Sequence, residues 1–246
     1  MTNLFIKEIQ LIKDNAQNFS IYPFSLSIIK NFTNMHLTSP VTFIMGDNGS
    51  GKSTLLEAIA LAYGFNPEGG SRNFNFSTKD THSSLHSHLR LVKGIKRLQV
   101  SFFLRAESFY NVASEYDNLY ENELRAGINT AFGSRSLHSQ SHGESFLALM
   151  QNRLRGNGLY IFDEPEAALS AEGQLKMLSI MKNLVDENSQ FIIATHSPII
   201  SAFPNATIYE ADENEFAVKG YTDTNNYTIT KYFLNNTDRM IKELFD

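Results

Sequence analysis

Gly46-Asp47-Asn48-Gly49-Ser50-Gly51-Lys52-Ser53 places Gly46, Gly51, Lys52 and Ser53 at the fixed positions of the phosphate-binding loop pattern, and the fold is read outward from it. The apolar run Val41-Thr42-Phe43-Ile44-Met45 leads into the loop as a strand. Residues 54–62, with Leu55, Leu56, Ala58, Ile59 and Leu61, leave it as a helix that should break at Gly64 and Pro67. The chemistry needs this order. Glycines let the backbone from Gly46 through Asp47, Asn48, Gly49, Ser50 and Gly51 curl until its N–H groups face phosphate oxygens, and the helix N-terminus adds positive potential. Lys52 then neutralises β- and γ-phosphate charge, the Ser53 hydroxyl ligates magnesium, and Thr54 donates to the α-phosphate. The expected ligands are ATP and Mg2+.

Further along the chain, Leu159-Tyr160-Ile161-Phe162 and Phe191-Ile192-Ile193-Ala194 are continuous apolar runs, as in parallel strands covered on both faces. The first ends in Asp163-Glu164-Pro165, which should bring Asp163 to the magnesium and leave Glu164 to act on water. Two acids after an apolar run are as often a plain strand end; the phosphate loop upstream gives them their weight. Ser141-His142-Gly143-Glu144-Ser145 opens a helix whose N-terminus and serine hydroxyl make an anion site. Thr195-His196-Ser197-Pro198 follows the second run and puts a histidine at a strand end, in reach of a γ-phosphate. Singly, these two read equally well as a helix cap and a strand-terminal histidine.

Taken in this order and spacing, the segments resemble the ABC-type ATPases, the superfamily of transporter nucleotide-binding domains and of SMC-, RecF- and OLD-type ATPase heads. Residues 46–53 resemble its Walker A loop, and Phe162-Asp163-Glu164-Pro165 its Walker B strand with the catalytic glutamate. Ser141-His142-Gly143-Glu144 resembles the signature motif, Glu166-Ala167-Ala168-Leu169-Ser170 the D-loop, and His196 the switch histidine. The resemblance implies an α/β fold of the P-loop NTPase type. It should have a mostly parallel core sheet, an N-terminal antiparallel β-subdomain and a small helical subdomain. Residues 1–246 would form one domain, with 1–105 and 158–246 as the core lobe and about 106–157 as the helical signature subdomain. It also implies a homodimer that closes head to tail on ATP. Ser141, Gly143 and Glu144 of one copy would then complete the nucleotide site around Lys52 of the other.

Three positions depart from the family pattern. His142 and Glu144 replace a glycine and a glutamine of the signature motif. Arg105, or else Glu107, stands where a glutamine contacts the magnesium. Tyr22 lies where an aromatic usually stacks on adenine, although a tyrosine before Pro23 also reads as a turn residue.

The string Asp163-Glu164-Pro165-Glu166-Ala167-Ala168 and the pair Ser197-Pro198 after His196 differ from the transporter branch and resemble compact, stand-alone ATPases. A soluble ATPase acting in DNA maintenance or phage defence, with DNA or a nuclease as partner, is the reading these strings favour, and a membrane permease is not the expected partner. A transporter subunit and a low-turnover nucleotide-dependent switch are the alternatives. The stretch from Arg105 to Ser141 is too short for a long coiled coil, so a structural-maintenance head is excluded for this chain.

Composition agrees with a globular α/β chain: 246 residues, 42% hydrophobic and 19% charged. No apolar run reaches the ~18 residues of a membrane span, and the first residues lack the features of a signal peptide. The absence of cysteine rules out disulfides and fits the cytoplasm as compartment. A net charge of −5 argues against a globally basic nucleic-acid binder.

The remaining segments are read as follows. Residues 4–12 and Phe24-Ser25-Leu26-Ser27-Ile28-Ile29 are expected strands, as is 98–104. Residues 69–88 and 132–142 are expected loops, and 109–129, 144–154 and 172–185 helices, the last with Leu175, Leu178, Met181 and Val185 on one face. Residues 228–245 should form one or two helices against the end of the sheet or against a partner. His82, His86 and His88 have metal-site spacing but read better as a polar loop. Arg90, Lys93, Lys96 and Arg97 read better as a solvated strand edge than as a phosphate contact. Arg72 sits in a glycine turn with no assigned role.

Overall fold

The computed structural model describes residues 4–13, 19–67, 69–70, 83–105 and 142–246. Within them the chain runs β1 (Ile6–Leu11), α1 (Ser27–Asn31), β2 (Asn34–His36), β3 (Val41–Gly46), α2 (Lys52–Tyr63), β4 (Leu89–Lys93) and β5 (Val100–Arg105). It continues with α3 (His142–Arg153), β6 (Gly158–Asp163), α4 (Ala171–Asp186), β7 (Gln190–Ala194), β8 (Thr207–Ala211), β9 (Phe216–Lys219), α5 (Asn225–Asn235) and α6 (Thr237–Phe245). The expected helix over 109–129, the loop over 132–142, Glu107, Arg72 and His82 lie wholly or largely outside the described residues.

Two sheets form. The larger has six strands in the order β5-β6-β7-β3-β8-β9. Its first five strands are parallel, and only β9 returns antiparallel to β8. The smaller is antiparallel, in the order β2-β1-β4. This is the expected mostly parallel core with an N-terminal antiparallel subdomain.

The two faces of the large sheet follow from side-chain alternation along each strand. Ile44, Phe103, Leu159, Ile161, Ile192 and Ala194 point to one side, where α2 and the small sheet cover them. Phe43, Met45, Phe102, Tyr160, Phe162 and Ile193 point to the other, where α3 and α4 cover them. Gln190, fully buried at the start of β7, joins the sheets: its Oε1 accepts from Phe5 N at 2.8 Å and Ile6 N at 3.0 Å, and its Nε2 donates to Ile6 O at 2.8 Å.

Several expectations need correction. Residues 24–29 do not extend as a strand. Ser25 N bonds Ile21 O, Leu26 N bonds Pro23 O and Lys30 N bonds Leu26 O, so the chain turns and enters α1 with Ile28 and Ile29 buried. A run this short has too few apolar positions for periodicity to separate helix from strand. Leu175 is 58% exposed on α4, whereas Met177, Met181 and Leu184 form the buried stripe, because the real face is offset from the expected one. Helices α5 and α6 bury no residue and leave Ile229, Leu234, Leu244 and Phe245 in solvent, so only the segment leading into them packs on the core. Part of the expected loop over 69–88 is a 3-10 turn, Ser84–His88.

Candidate functional site

The order β6-β7-β3 makes the ends of three neighbouring parallel strands converge, and each delivers one part of the site. Strand β3 ends at Gly46 and enters the loop. The loop's glycines take backbone angles that other residues avoid, with φ of 138° at Gly46, 79° at Gly49 and 94° at Gly51. Gly51 caps α2 directly, and a side chain there would crowd Ile28 of α1 and Leu26 just before it. The loop residues Asp47, Asn48, Gly49 and Ser50 open onto a cleft of about 480 Å³ that Ile28, Ala211 and Asn225 also line.

Lys52 begins α2 and is only 3% exposed. Its Nζ donates to Asp47 O at 2.7 Å, which folds the side chain back over the loop. Burial holds the amine below the usual lysine range, opposed by the charges of Glu164, Asp163, Asp47 and Glu166. At the mouth of a curled backbone, the Lys52 amine is placed to pair with a polyphosphate.

Ser53 Oγ donates to Asp163 Oδ1 at 2.9 Å. The hydroxyl and carboxylate oxygens expected to hold magnesium are therefore already side by side, and both are hard oxygen donors of the kind Mg2+ takes. One turn along α2, Glu57 Oε2 meets Arg105 Nη1 at 2.8 Å. Arg105 lies opposite Asp163 in the β5–β6 register. Two rungs thus cross from α2 to the sheet, one polar at Ser53–Asp163 and one ionic at Glu57–Arg105. Glu57 was not singled out from the sequence; its spacing of one helical turn from Ser53 was the available signal.

Glu164 follows β6 in a left-handed conformation, φ 49° and ψ 53°. Its N–H is tied to Ala194 O at 2.9 Å, and this bend aims its carboxylate at the end of β7. There His196 Nε2 lies 3.3 Å from Glu164 Oε1. The contact is within ion-pair reach but is not an aligned hydrogen bond, since the buried Nε2 has no hydrogen-bond partner among the described residues.

Tyr22, 60% exposed, reaches the same helix end: its hydroxyl lies 3.0 Å from Thr54 Oγ1. On α3, Gly143 backs onto Ala168 O, with no space for a side chain, and Glu144 is exposed in the first turn. Ser141 lies outside the described residues. The structure thus gathers Gly46, Asp47, Asn48, Gly49, Ser50, Gly51, Lys52, Ser53, Thr54, Tyr22, Asp163, Glu164 and His196 around one loop. Gly143 and Glu144 belong to α3.

Two amines of the basic run lie over aromatic rings, while Arg90 and Arg97 are exposed. Lys93 Nζ sits 4.6 Å from the Tyr63 ring centre and Lys96 Nζ 4.7 Å from that of Phe5. His86 and His88 turn ring nitrogens to Ser83 O and Ser84 O, and no metal-ligating cluster occurs among the described residues.

Comparison with known proteins places this geometry. The AAA domain family matches residues 15–195. The chain belongs to that family, within the ABC-type ATPase superfamily. Over 211 residues this ABC-type ATPase domain is 22% identical to the zinc import ATP-binding protein ZnuC of Wolbachia pipientis, spanning 84% of this chain and 82% of ZnuC. It is 26% identical over 191 residues to the macrolide export ATP-binding/permease protein MacB of Chlorobium luteolum, covering 69% of this chain but 27% of that protein. The solved structure of cbiO1 from Clostridium perfringens, part of an ABC transporter complex, matches with a TM-score of 0.53 at 17% identity. That match covers 94% of this chain and 95% of that one, a likeness of fold. The coarse function is that of an ATP-binding ABC-type ATPase.

Proposed function

We propose that this chain hydrolyses ATP with magnesium, as one half of a head-to-tail homodimer. The observation that carries the reading is the convergence of Lys52, the Ser53–Asp163 pair and the Glu164–His196 pair at three adjacent strand ends. Loop N–H groups and Lys52 bind and orient the phosphates. Ser53 and Asp163 would hold magnesium, which would supply charge neutralisation for the phosphates. Glu164 accepts a hydrogen bond from the attacking water and takes up its proton as the γ-phosphorus–oxygen bond to ADP breaks. His196, beside Glu164, keeps water and γ-phosphate in line. Tyr22, exposed next to Thr54, offers a face for the adenine ring. Ser141, Gly143 and Glu144 act on the nucleotide of the second copy.

Glu164→Gln keeps the shape of the side chain and loses its basicity. It should bind ATP and accumulate as a dimer on size exclusion with ATP and magnesium. A variant that binds ATP and stays monomeric overturns the sandwich.

For the process driven, the Glu166-Ala167-Ala168 and Ser197-Pro198 strings support a soluble ATPase of the cytoplasm that works with DNA or a nuclease. The names of the relatives support a second reading, a transporter subunit docked on a membrane permease. ATPase rates with and without duplex and single-stranded DNA separate them. Stimulation by DNA favours the first, and DNA-independent turnover that rises with a co-purified permease favours the second.

A further inference from the structure

His196 is held by more than its ring. Beyond Thr195, whose N–H still bonds Ile44 O in the strand-like ladder, the backbone of the histidine finds its partners in side chains. Its N–H donates to Glu166 Oε1 at 2.5 Å, and its C=O accepts from Asn226 Nδ2 at 2.7 Å. Both holders are themselves anchored. Glu166 sits on the 3-10 turn Pro165–Ala168, fixed directly behind Glu164. Asn226 lies in the first turn of α5, whose entry is tied down by Asn225 N bonding Glu210 Oε1 at 2.9 Å and by Tyr221 OH bonding Pro198 O at 2.8 Å. Thr224 at that entry is fully buried. The second Glu166 oxygen is buried with no hydrogen-bond partner among the described residues. A carboxylate is an expensive way to satisfy one N–H unless its exact placement matters.

We propose that Glu166 and Asn226 are positioning residues. They hold the His196 backbone at its N–H and at its C=O and so fix its imidazole against Glu164. The charge-assisted bond from a backbone N–H to a carboxylate is short and directional, and a displacement of about 1 Å in such a pair is worth about 100-fold in rate. The clamp joins the segment after the Walker B strand to the C-terminal helices through a single residue. The inference deepens the hydrolytic reading and rests on it for its kinetic consequence.

Steady-state kinetics and hydrogen exchange test it together. Glu166→Ala and Asn226→Ala should each lower kcat, by about 10- to 100-fold, with the KM for ATP unmoved. Glu166→Gln, which keeps an acceptor oxygen for the N–H, should recover most of the loss. On a His196→Ala background, adding Glu166→Ala should change kcat no further, because the effect passes through the imidazole; a general packing role would multiply. In the nucleotide-free chain, amide exchange across residues 195–199 should speed up in both alanine variants. Wild-type protein without ATPase activity would overturn the hydrolytic reading and leave the clamp standing on the exchange result. Unchanged exchange in folded Glu166→Ala and Asn226→Ala, or independent multiplication with His196→Ala, overturns the clamp.

Discussion

Replacing Gly46 with alanine tests whether the loop is anchored by a contact that only glycine permits. Gly46 has a φ of 138° and pairs with Ala211 in the β3–β8 register. A Cβ there would stand 2.7 Å from Ala211 Cβ and 2.8 Å from Ala211 O. Neither neighbour can retreat cheaply, since Ala211 is 6% exposed and held in the sheet. Two costs add: roughly 1–3 kcal/mol for a side-chain-bearing residue in a sparsely populated backbone region, and roughly 1–3 kcal/mol for forcing a methyl into filled space. The expected loss is about 2–6 kcal/mol, which at about 2–4 °C per kcal/mol for a chain of this size lowers Tm by roughly 4–24 °C. Urea unfolding followed by far-UV circular dichroism measures it. Adding Ala211→Gly should restore only part of the loss, because it removes the Cβ contact but leaves the carbonyl contact and the backbone strain. If Gly46→Ala unfolds within about 0.5 kcal/mol of wild type, the range of a neutral surface change, the reasoning fails.

Lys52→Met should weaken ATP binding by at least about 100-fold by titration calorimetry, from loss of the charge-assisted phosphate contacts at ~1.5–3 kcal/mol each. The same variant carries a pH signature. Burial depresses the Lys52 amine in the folded chain, so the penalty for holding it charged is present at neutral pH and fades as pH rises through the folded value toward the unfolded 10.5. The stability of Lys52→Met relative to wild type should therefore shift against the variant over that alkaline range; a constant difference would refute the assignment. Tyr160, buried with its hydroxyl accepting from Arg155 N at 2.8 Å, has its phenol pushed up to about 12. Its contribution is complete below pH 10 and is lost between pH 10 and about 12, as the phenol ionises first in the unfolded chain. Tyr160→Phe should cost about 1–3 kcal/mol at neutral pH, with the gap closing above pH 10 in denaturant titrations.

Much of this is legible in the sequence. The strand, glycine loop and helix around Lys52 are local features, and each residue type there answers a local demand, so residues 41–63 fold as read. The continuous apolar runs at 159–162 and 191–194 announced strands covered on both faces, because no solvated face would tolerate such alternation-free sequence. Residues 24–29 failed for the complementary reason. Six residues with two adjacent isoleucines fit either period, and burial of Ile28 and Ile29 in the core goes with their turn into α1. The C-terminal helices were found, but their amphipathic pattern says only that one face prefers an apolar partner. It does not say whether this chain provides one, and α5 and α6 bury nothing here.

The sequence by itself determined the phosphate loop, the buried acid at the end of β6 and the family to which both belong, since these rest on residue type and short spacing. Only the tertiary structure decided what stands beside what. The order β6-β7-β3 sets the Ser53–Asp163 rung at 2.9 Å and Glu164 within 3.3 Å of His196. The fold also pairs Arg105 with Glu57 and brings Glu166 and Asn226 onto the N–H and C=O of one histidine. Strand order is settled by packing two faces of a sheet at once, among residues far apart in the chain, and no local pattern encodes it.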